Sequence, residues 1–109
     1  MLRAFRAFER RHMHFLETTV DRDLVCEIGY HQGERKPITM KQVFLLGIGS
    51  VPSVQRRLRR LRHLGAILRE RNRSDKRVME MRLAPRILHV FARYEELISS
   101  CARPGHSAG

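Results

Sequence analysis

The fold is decided by one stretch of the sequence, residues 50–83, which reads SVPSVQRRLRRLRHLGAILRERNRSDKRVMEMRL. In its first part, apolar residues recur every three or four positions, which is the spacing of a helix that buries one face. These residues are Val51, Val54, Leu58, Leu61 and Leu64. Ser50 is a typical N-cap, Pro52 is tolerated in a first turn, and Gly65 is typical of the position after a helix. The sequence therefore predicts a helix over about 50–64.

After this helix the apolar residues alternate with polar ones, which is the spacing of β-strands. The segments 66–70 and 77–83 can pair as an antiparallel hairpin. Between them, Asn72, Ser74 and Asp75 are residue types that favour turns. The sequence thus predicts a hairpin with a polar, basic loop directly after a basic helix.

A shorter helix is predicted just before residue 50. Thr39 and Gln42 have the spacing of a capping box, and the apolar run 43–46 follows. Gly47 and Gly49 end this helix early. Two helices joined by a tight turn, with a hairpin after the second, describe a winged helix-turn-helix. We expect a mainly α-helical fold with a small β-hairpin as its wing.

The flanking segments are also predicted to be helical. Residues 2–16 fit an amphipathic helix loosely, a helix is expected over about 20–31, and Pro85 opens a final helix. The predicted organisation is N-terminal helices for dimerisation or support at 1–36, a winged helix-turn-helix core at 37–84, a C-terminal helix at 85–102 and a disordered tail at 103–109.

The positive charge of the chain is concentrated in one segment. Its 109 residues include 22 Lys and Arg against 11 Asp and Glu, a formal net charge of +11. The segment from Arg56 to Arg77 has ten basic and two acidic residues, and so carries +8 of that charge. Five arginines lie within 56–62 with no acidic residue among them, and they repel one another unless an anion is bound. A polyanion, nucleic acid first, is the expected partner.

The helix and the hairpin resemble those of the MarR family of bacterial regulators, over about residues 37–98. The helix has the family's small hydroxyl residues before a valine, in Ser53-Val54, and its Leu…Gly ending, in Leu64-Gly65. The hairpin has the family's Asp-x-Arg wing signature, in Asp75-Lys76-Arg77. The resemblance implies a DNA-binding winged helix in which Asp75 and Arg77 brace the wing.

The sequence departs from the family pattern in two places. Ala84 stands where a hydroxyl residue usually caps the helix after the wing. The terminal helices are shorter than those with which a typical member builds its dimer interface and a cleft for small aromatic ligands. A homodimer is still expected in spite of the shorter helices, but no small-molecule ligand is assigned.

The expected function is that of a sequence-specific regulator of transcription that binds double-stranded DNA, as a homodimer held by its first and last helices. Helix 50–64 enters the major groove, and the wing, 69–77, lies on the backbone or in the minor groove. Base contacts are expected from Ser53, Gln55, Arg56 and Arg60, and phosphate contacts from Arg59, Arg69, Arg71, Arg73 and Lys76. Two alternatives stay open: a winged-helix module that docks another regulator, and a nucleoid or RNA binder with little sequence preference.

Other classes of function find little support in the sequence. It has no nucleophile–base arrangement and no phosphate-binding glycine loop, and its six histidines lack metal-ligand spacing. We expect no enzymatic activity, metal or cofactor. No apolar run reaches the about 18 residues of a membrane span. Cys26 and Cys101 are far apart and no signal peptide precedes them, which predicts inert thiols in the cytoplasm, a redox pair being the alternative.

Overall fold

The computed structural model describes the backbone of residues 2–108 and the side chains of residues 3–99 other than Phe5. Within these residues, helices dominate and a single hairpin supplies the strands, which confirms the predicted fold class. The elements, in chain order, are α1 (Leu2–His12), α2 (Thr19–Gly33), α3 (Met40–Leu45), α4 (Val51–His63), β1 (Ile67–Arg71), β2 (Met79–Leu83) and α5 (Pro85–Ala108).

The two helices of the helix-turn-helix begin at the residues that the sequence predicts. At the start of α3, the Thr39 hydroxyl accepts from the Gln42 amide at 3.2 Å, and the Gln42 side chain accepts from the Thr39 amide at 2.9 Å. At the start of α4, the Ser50 hydroxyl accepts from the Ser53 amide at 3.3 Å. These bonds satisfy amides that have no partner inside the helix.

Glycines with positive φ end both helices. Gly47 has φ 71° and Gly65 has φ 75°, a conformation that costs other residues energy. After α4, the amide of Gly65 donates to the carbonyl of Arg62 and that of Ala66 to Leu61, both at 2.9 Å. This pair of bonds is the Schellman motif, and it turns the chain directly into the hairpin.

The hairpin is antiparallel, and its register runs from Ile67 opposite Leu83 to Arg71 opposite Met79. The segment before α3 pairs with β2, because the Met81 amide donates to the Ile38 carbonyl at 2.9 Å. The observed strands differ from the predicted ones by at most two residues at any end. The hairpin is thereby tied to the residues that lead into α3, which holds the wing beside the helix-turn-helix.

Residues 16–84 form a unit with its own core. Helix α2 packs on α4 and β2, and α4 packs on β1. The predicted boundary at 36/37 separates α2 from this core, whereas the structure includes α2 in it because three of its apolar side chains are fully buried. The largest buried side chains of this unit are Leu24, Ile28, Ile38, Leu61, Ile67, Met81, Val25, Val43 and Val54.

The terminal segments, residues 1–15 and 85–109, form a second unit, in which α1 packs on α5. The centre of the Phe8 ring lies 5.7 Å from that of the Tyr94 ring. The Arg93 guanidinium lies over the Phe8 ring, 5.6 Å from its centre. The bounds of α5 extend past the predicted end at 102. The side chains from 100 onward and Gly109 lie outside the described residues, and so the tail predicted at 103–109 stays a prediction. No described helix is long and apolar enough to cross a membrane.

Candidate nucleic-acid interface

Helix α4 has a buried side and an exposed side. Val54, Leu58 and Leu61 are at most 2% exposed and attach the helix to the core. Val51 and Leu64, which the sequence places on the same buried stripe, are 47% and 42% exposed because they stand at the two ends of the helix. The exposed side is basic, and its residues after the first turn are Gln55, Arg56, Arg59, Arg62 and His63.

The arginines of residues 56–82 divide into two sets according to their partners. In the first set each guanidinium binds a carboxylate or a carbonyl of the protein: Arg57, Arg60, Arg71, Arg77 and Arg82. In the second set, all exposed, no hydrogen bond or ion pair joins the guanidinium to another described residue: Arg56, Arg59, Arg62, Arg69 and Arg73. We call this second set the unpaired arginines. They remain available to an external anion.

The partners of Arg57 and Arg60 lie at the start of α2, 36 and more residues earlier in the sequence. The Arg57 Nε donates to Oδ1 of Asp21 at 2.7 Å, and its Nη2 lies 3.0 Å from Glu17. The Arg60 Nε lies 3.1 Å from Glu17, and its Nη1 lies 3.5 Å from Asp21. We call these four residues the Asp21 cluster. It corrects, for Arg57 and Arg60, the expectation that the arginines of 56–62 repel one another unless an external anion is bound.

Asp21 is fully buried and its carboxylate is well supplied with donors. Its Oδ2 accepts from the amides of Glu17 and Thr18 at 2.9 and 3.2 Å, and the Thr18 hydroxyl accepts from the Asp21 amide, which completes a capping box. Burial alone raises the pKa of this carboxyl, but the hydrogen bonds from Arg57 and the two amides outweigh burial and hold the pKa below its ordinary value.

This lowered pKa predicts a loss of stability in acid. A carboxyl with a lowered pKa stabilises the fold above its unfolded value, 3.8, and the effect is lost as the pH falls through the lower, folded value. We expect the difference in the free energy of unfolding between the wild type and Asp21→Asn to be constant above about pH 5 and to shrink below about pH 4. Urea denaturation across this range measures it. A difference that stays the same down to about pH 2 contradicts the assignment.

The wing loop is closed by its own side chains. Asn72 accepts from the amides of Ser74 and Asp75 at 2.8 and 2.9 Å, and the Arg71 guanidinium donates to the Lys76 carbonyl at 2.7 Å. Asp75 accepts from the Arg77 amide and Nε at 3.1 and 3.2 Å, which holds the pKa of the Asp75 carboxyl below its ordinary value. The contact between Asp75 and Arg77 is the one that the resemblance implies for wing bracing.

A concave groove lies between α3, the outward side of α4 and β1. It has a volume of about 340 Å³, an apolar floor that includes Phe44 and Leu58, and three unpaired arginines among its lining residues: Arg59, Arg62 and Arg69. The same three arginines line a neighbouring recess that continues past His63. Cations of helix and hairpin are thus brought to one surface.

The structure brings together most, but not all, of the residues predicted to meet DNA. Gln55, Arg56 and Arg59 are exposed on one side of α4, and Arg69, Arg71, Arg73 and Lys76 are exposed on the hairpin. Ser53 is half-buried in the first turn. Arg60 is apart from these, because its guanidinium turns back to Glu17. Arg62, which is not among the residues that the sequence predicts to contact DNA, stands on the exposed side instead.

Two other features of the sequence acquire no site in the structure. No three His, Cys, Asp or Glu side chains within the described part of the chain are placed to hold a metal ion. Partial desolvation raises the pKa of the Cys26 thiol, which disfavours the reactive thiolate. Cys101 lies outside the described side chains.

No family model and no curated protein matches the chain. Solved structures do match it. A crystal structure of MarR is 22% identical, with a TM-score of 0.55, over 98% of this chain and 90% of that one. The structure of S. aureus MepR bound to ethidium bromide is 16% identical, with a TM-score of 0.72, over 95% and 76%. That of an S. aureus MepR–DNA complex is 16% identical, with a TM-score of 0.61, over 93% and 72%.

At these identities the likeness concerns the fold. It covers nearly all of this chain, so that it includes the terminal helices as well as the helix-turn-helix and the wing. The chain therefore has the winged helix-turn-helix fold of MarR and MepR, as its sequence predicts.

Proposed function

We propose that the chain regulates transcription by binding double-stranded DNA in a sequence-specific manner. In this proposal α4 enters the major groove and the wing lies on the adjacent backbone or in the minor groove. The observation that carries the proposal is the set of unpaired arginines, which continues from the outward side of α4 onto the hairpin. A basic surface whose guanidinium groups lack protein partners is suited to a polyanion.

The roles of individual residues follow from their positions. Residues near the start of the recognition helix reach base edges in this type of docking, and we assign base contacts to Ser53, Gln55 and Arg56. Arg60 is reassigned from base contact to positioning, because it binds Glu17. We assign phosphate contacts to the cations of the groove and wing: Arg59, Arg62, Arg69, Arg71, Arg73 and Lys76.

A DNA partner is also consistent with the solved structures that share the fold, since one of them is a complex of MepR with DNA. The competing proposal of a protein-docking module has less support. A protein partner for this surface would have to be strongly acidic, because five arginines without a carboxylate partner among the described residues lie on it.

We further propose that two chains assemble through α1 and α5. Two apolar residues of α5, Leu88 and Ile98, are 39% and 45% exposed, and a second chain can cover them. A two-fold dimer places its two recognition helices one helical turn of DNA apart, about 34 Å. Sedimentation equilibrium of the free protein tests this. We expect the mass of two chains, and the mass of one chain contradicts it.

The proposed function is tested by offering the protein a pool of randomised duplexes at about 0.15 M salt, near physiological ionic strength, and sequencing those retained. We expect enrichment of an inverted repeat with half-sites about 10 base pairs apart. Retention without enrichment contradicts sequence specificity and favours a nucleoid-type binder, whose affinity comes from phosphates. No retention contradicts DNA binding and favours the protein-docking module.

A further inference from the structure

Asp21 lies in the core rather than on the DNA-facing surface, yet it is joined to the helix that carries that surface. Its side chain is 0% exposed, and the carboxylate binds Arg57 of α4 through two nitrogens. Arg60, one turn further along α4, reaches the same carboxylate and Glu17. Two successive turns of α4 are therefore attached, on one flank, to the start of α2.

These hydrogen bonds depend on the orientation of α4, whereas the apolar contacts that hold the helix on the core do not. Val54, Leu58 and Leu61 attract the core through apolar contact, which depends little on orientation. Hydrogen bonds between a guanidinium and a carboxylate need a particular geometry. A rotation of α4 by about 20° about its axis moves a side chain at the helix surface, about 6 Å from the axis, by about 2 Å. A shift of that size breaks a hydrogen bond to a base edge.

We propose that Asp21 is a positioning residue for sequence recognition: through Arg57 and Arg60 it fixes the rotation of α4, and hence the aim of Gln55 and Arg56. This rests on the proposed function. Asp21 itself does not touch DNA. It binds the two arginines, which lie on α4 beside its outward side.

The Asp21 cluster also restrains two cations that would otherwise add to non-specific binding. The guanidinium groups of Arg57 and Arg60 bind Asp21 and Glu17, and both side chains are half-buried. Removing the charge of Asp21 loosens both. Affinity for any phosphate backbone is then unchanged or higher, while affinity that depends on an accurately aimed helix falls.

The test compares Asp21→Asn with Asp23→Asn, an exposed position on the same helix that loses the same charge. Affinity is measured for the duplex enriched by the wild type and for a scrambled duplex, well below the melting temperature of each variant. For Asp21→Asn we expect the ratio of the two affinities to fall about tenfold, the effect of one lost base contact, with the scrambled duplex bound at least as tightly as before. For Asp23→Asn we expect the wild-type ratio.

Glu17→Gln supplies a second variant, which removes one carboxylate of the cluster but leaves the buried carboxylate of Asp21 in place. The Glu17 side chain is 53% exposed. We expect a smaller fall of the ratio in the same direction. A variant that is merely partly unfolded loses both affinities together and keeps the ratio. An unchanged ratio in a folded Asp21→Asn protein therefore overturns the positioning role and leaves the proposed function intact. Equal binding of the two duplexes by the wild type overturns the proposed function, and the positioning role with it.

Discussion

Replacing Arg59 and Arg62 with glutamine is expected to weaken binding to duplex DNA about 30-fold at about 0.15 M salt. Both residues are unpaired arginines on the outward side of α4, and both line the groove beside β1. Each phosphate contact contributes about 0.9 to the slope of log affinity against log salt concentration, so that the slope becomes shallower by about 1.8. Fluorescence anisotropy over a series of salt concentrations measures affinity and slope together.

The matched control is Arg35→Gln with Lys36→Gln. These two exposed residues lie between α2 and α3, and their loss lowers the net charge by the same amount. Because neither residue lines the groove or the neighbouring recess, the control is expected to keep nearly the full slope. An equal loss of slope in both double variants means that affinity follows net charge alone, and the assignment of the groove to phosphates is then wrong.

Leu61→Ala is expected to cost about 3 kcal/mol in the free energy of unfolding, within the range for truncating a buried leucine. Leu61 is fully buried on the inner side of α4, opposite the arginines. Its truncation leaves a cavity beneath α4. For a domain of this size, such a loss lowers the melting temperature by roughly 10 to 20 °C. Thermal and urea denaturation measure the two quantities.

Leu45→Ala makes the same chemical change at an exposed position. Leu45 is the last residue of α3 and is 75% exposed, so we expect a change within about 0.5 kcal/mol. If Leu61→Ala is no more costly than Leu45→Ala, then α4 is not seated on the core by its apolar stripe. The outward side of the helix would then have to be assigned anew.

Local signals were sufficient to predict the helix-turn-helix and the wing. Thr39 with Gln42, Ser50, and Gly65 each specify a helix end through bonds to residues at most four positions away, and those bonds are present. The alternation of apolar residues after Gly65 was likewise enough to predict a hairpin. Such signals depend on nearby residues only, and for this reason they can be read in a single sequence.

The Asp21 cluster could not be predicted in the same way. Thr18 and Asp21 have the spacing of a capping box, and this signal was available. Nothing local indicates that the same carboxylate binds Arg57, because the contact spans 36 residues. The stripe of apolar residues indicates which side of α4 is buried, but its width depends on packing. The sequence therefore placed Arg60 on the outward side and assigned no DNA contact to Arg62, whereas in the structure Arg60 binds Glu17 and Arg62 is exposed.

The most direct test of the account is to repeat the selection from randomised duplexes with Arg56→Ala. Arg56 is exposed near the start of α4 and is the unpaired arginine to which we assign a base. We expect the variant to bind the enriched duplex more weakly by about 1–3 kcal/mol, and to select a motif that has lost its preference at one position in each half-site while keeping the others. If the variant selects the wild-type motif unchanged and weakens all sequences equally, the outward side of α4 does not read bases as proposed.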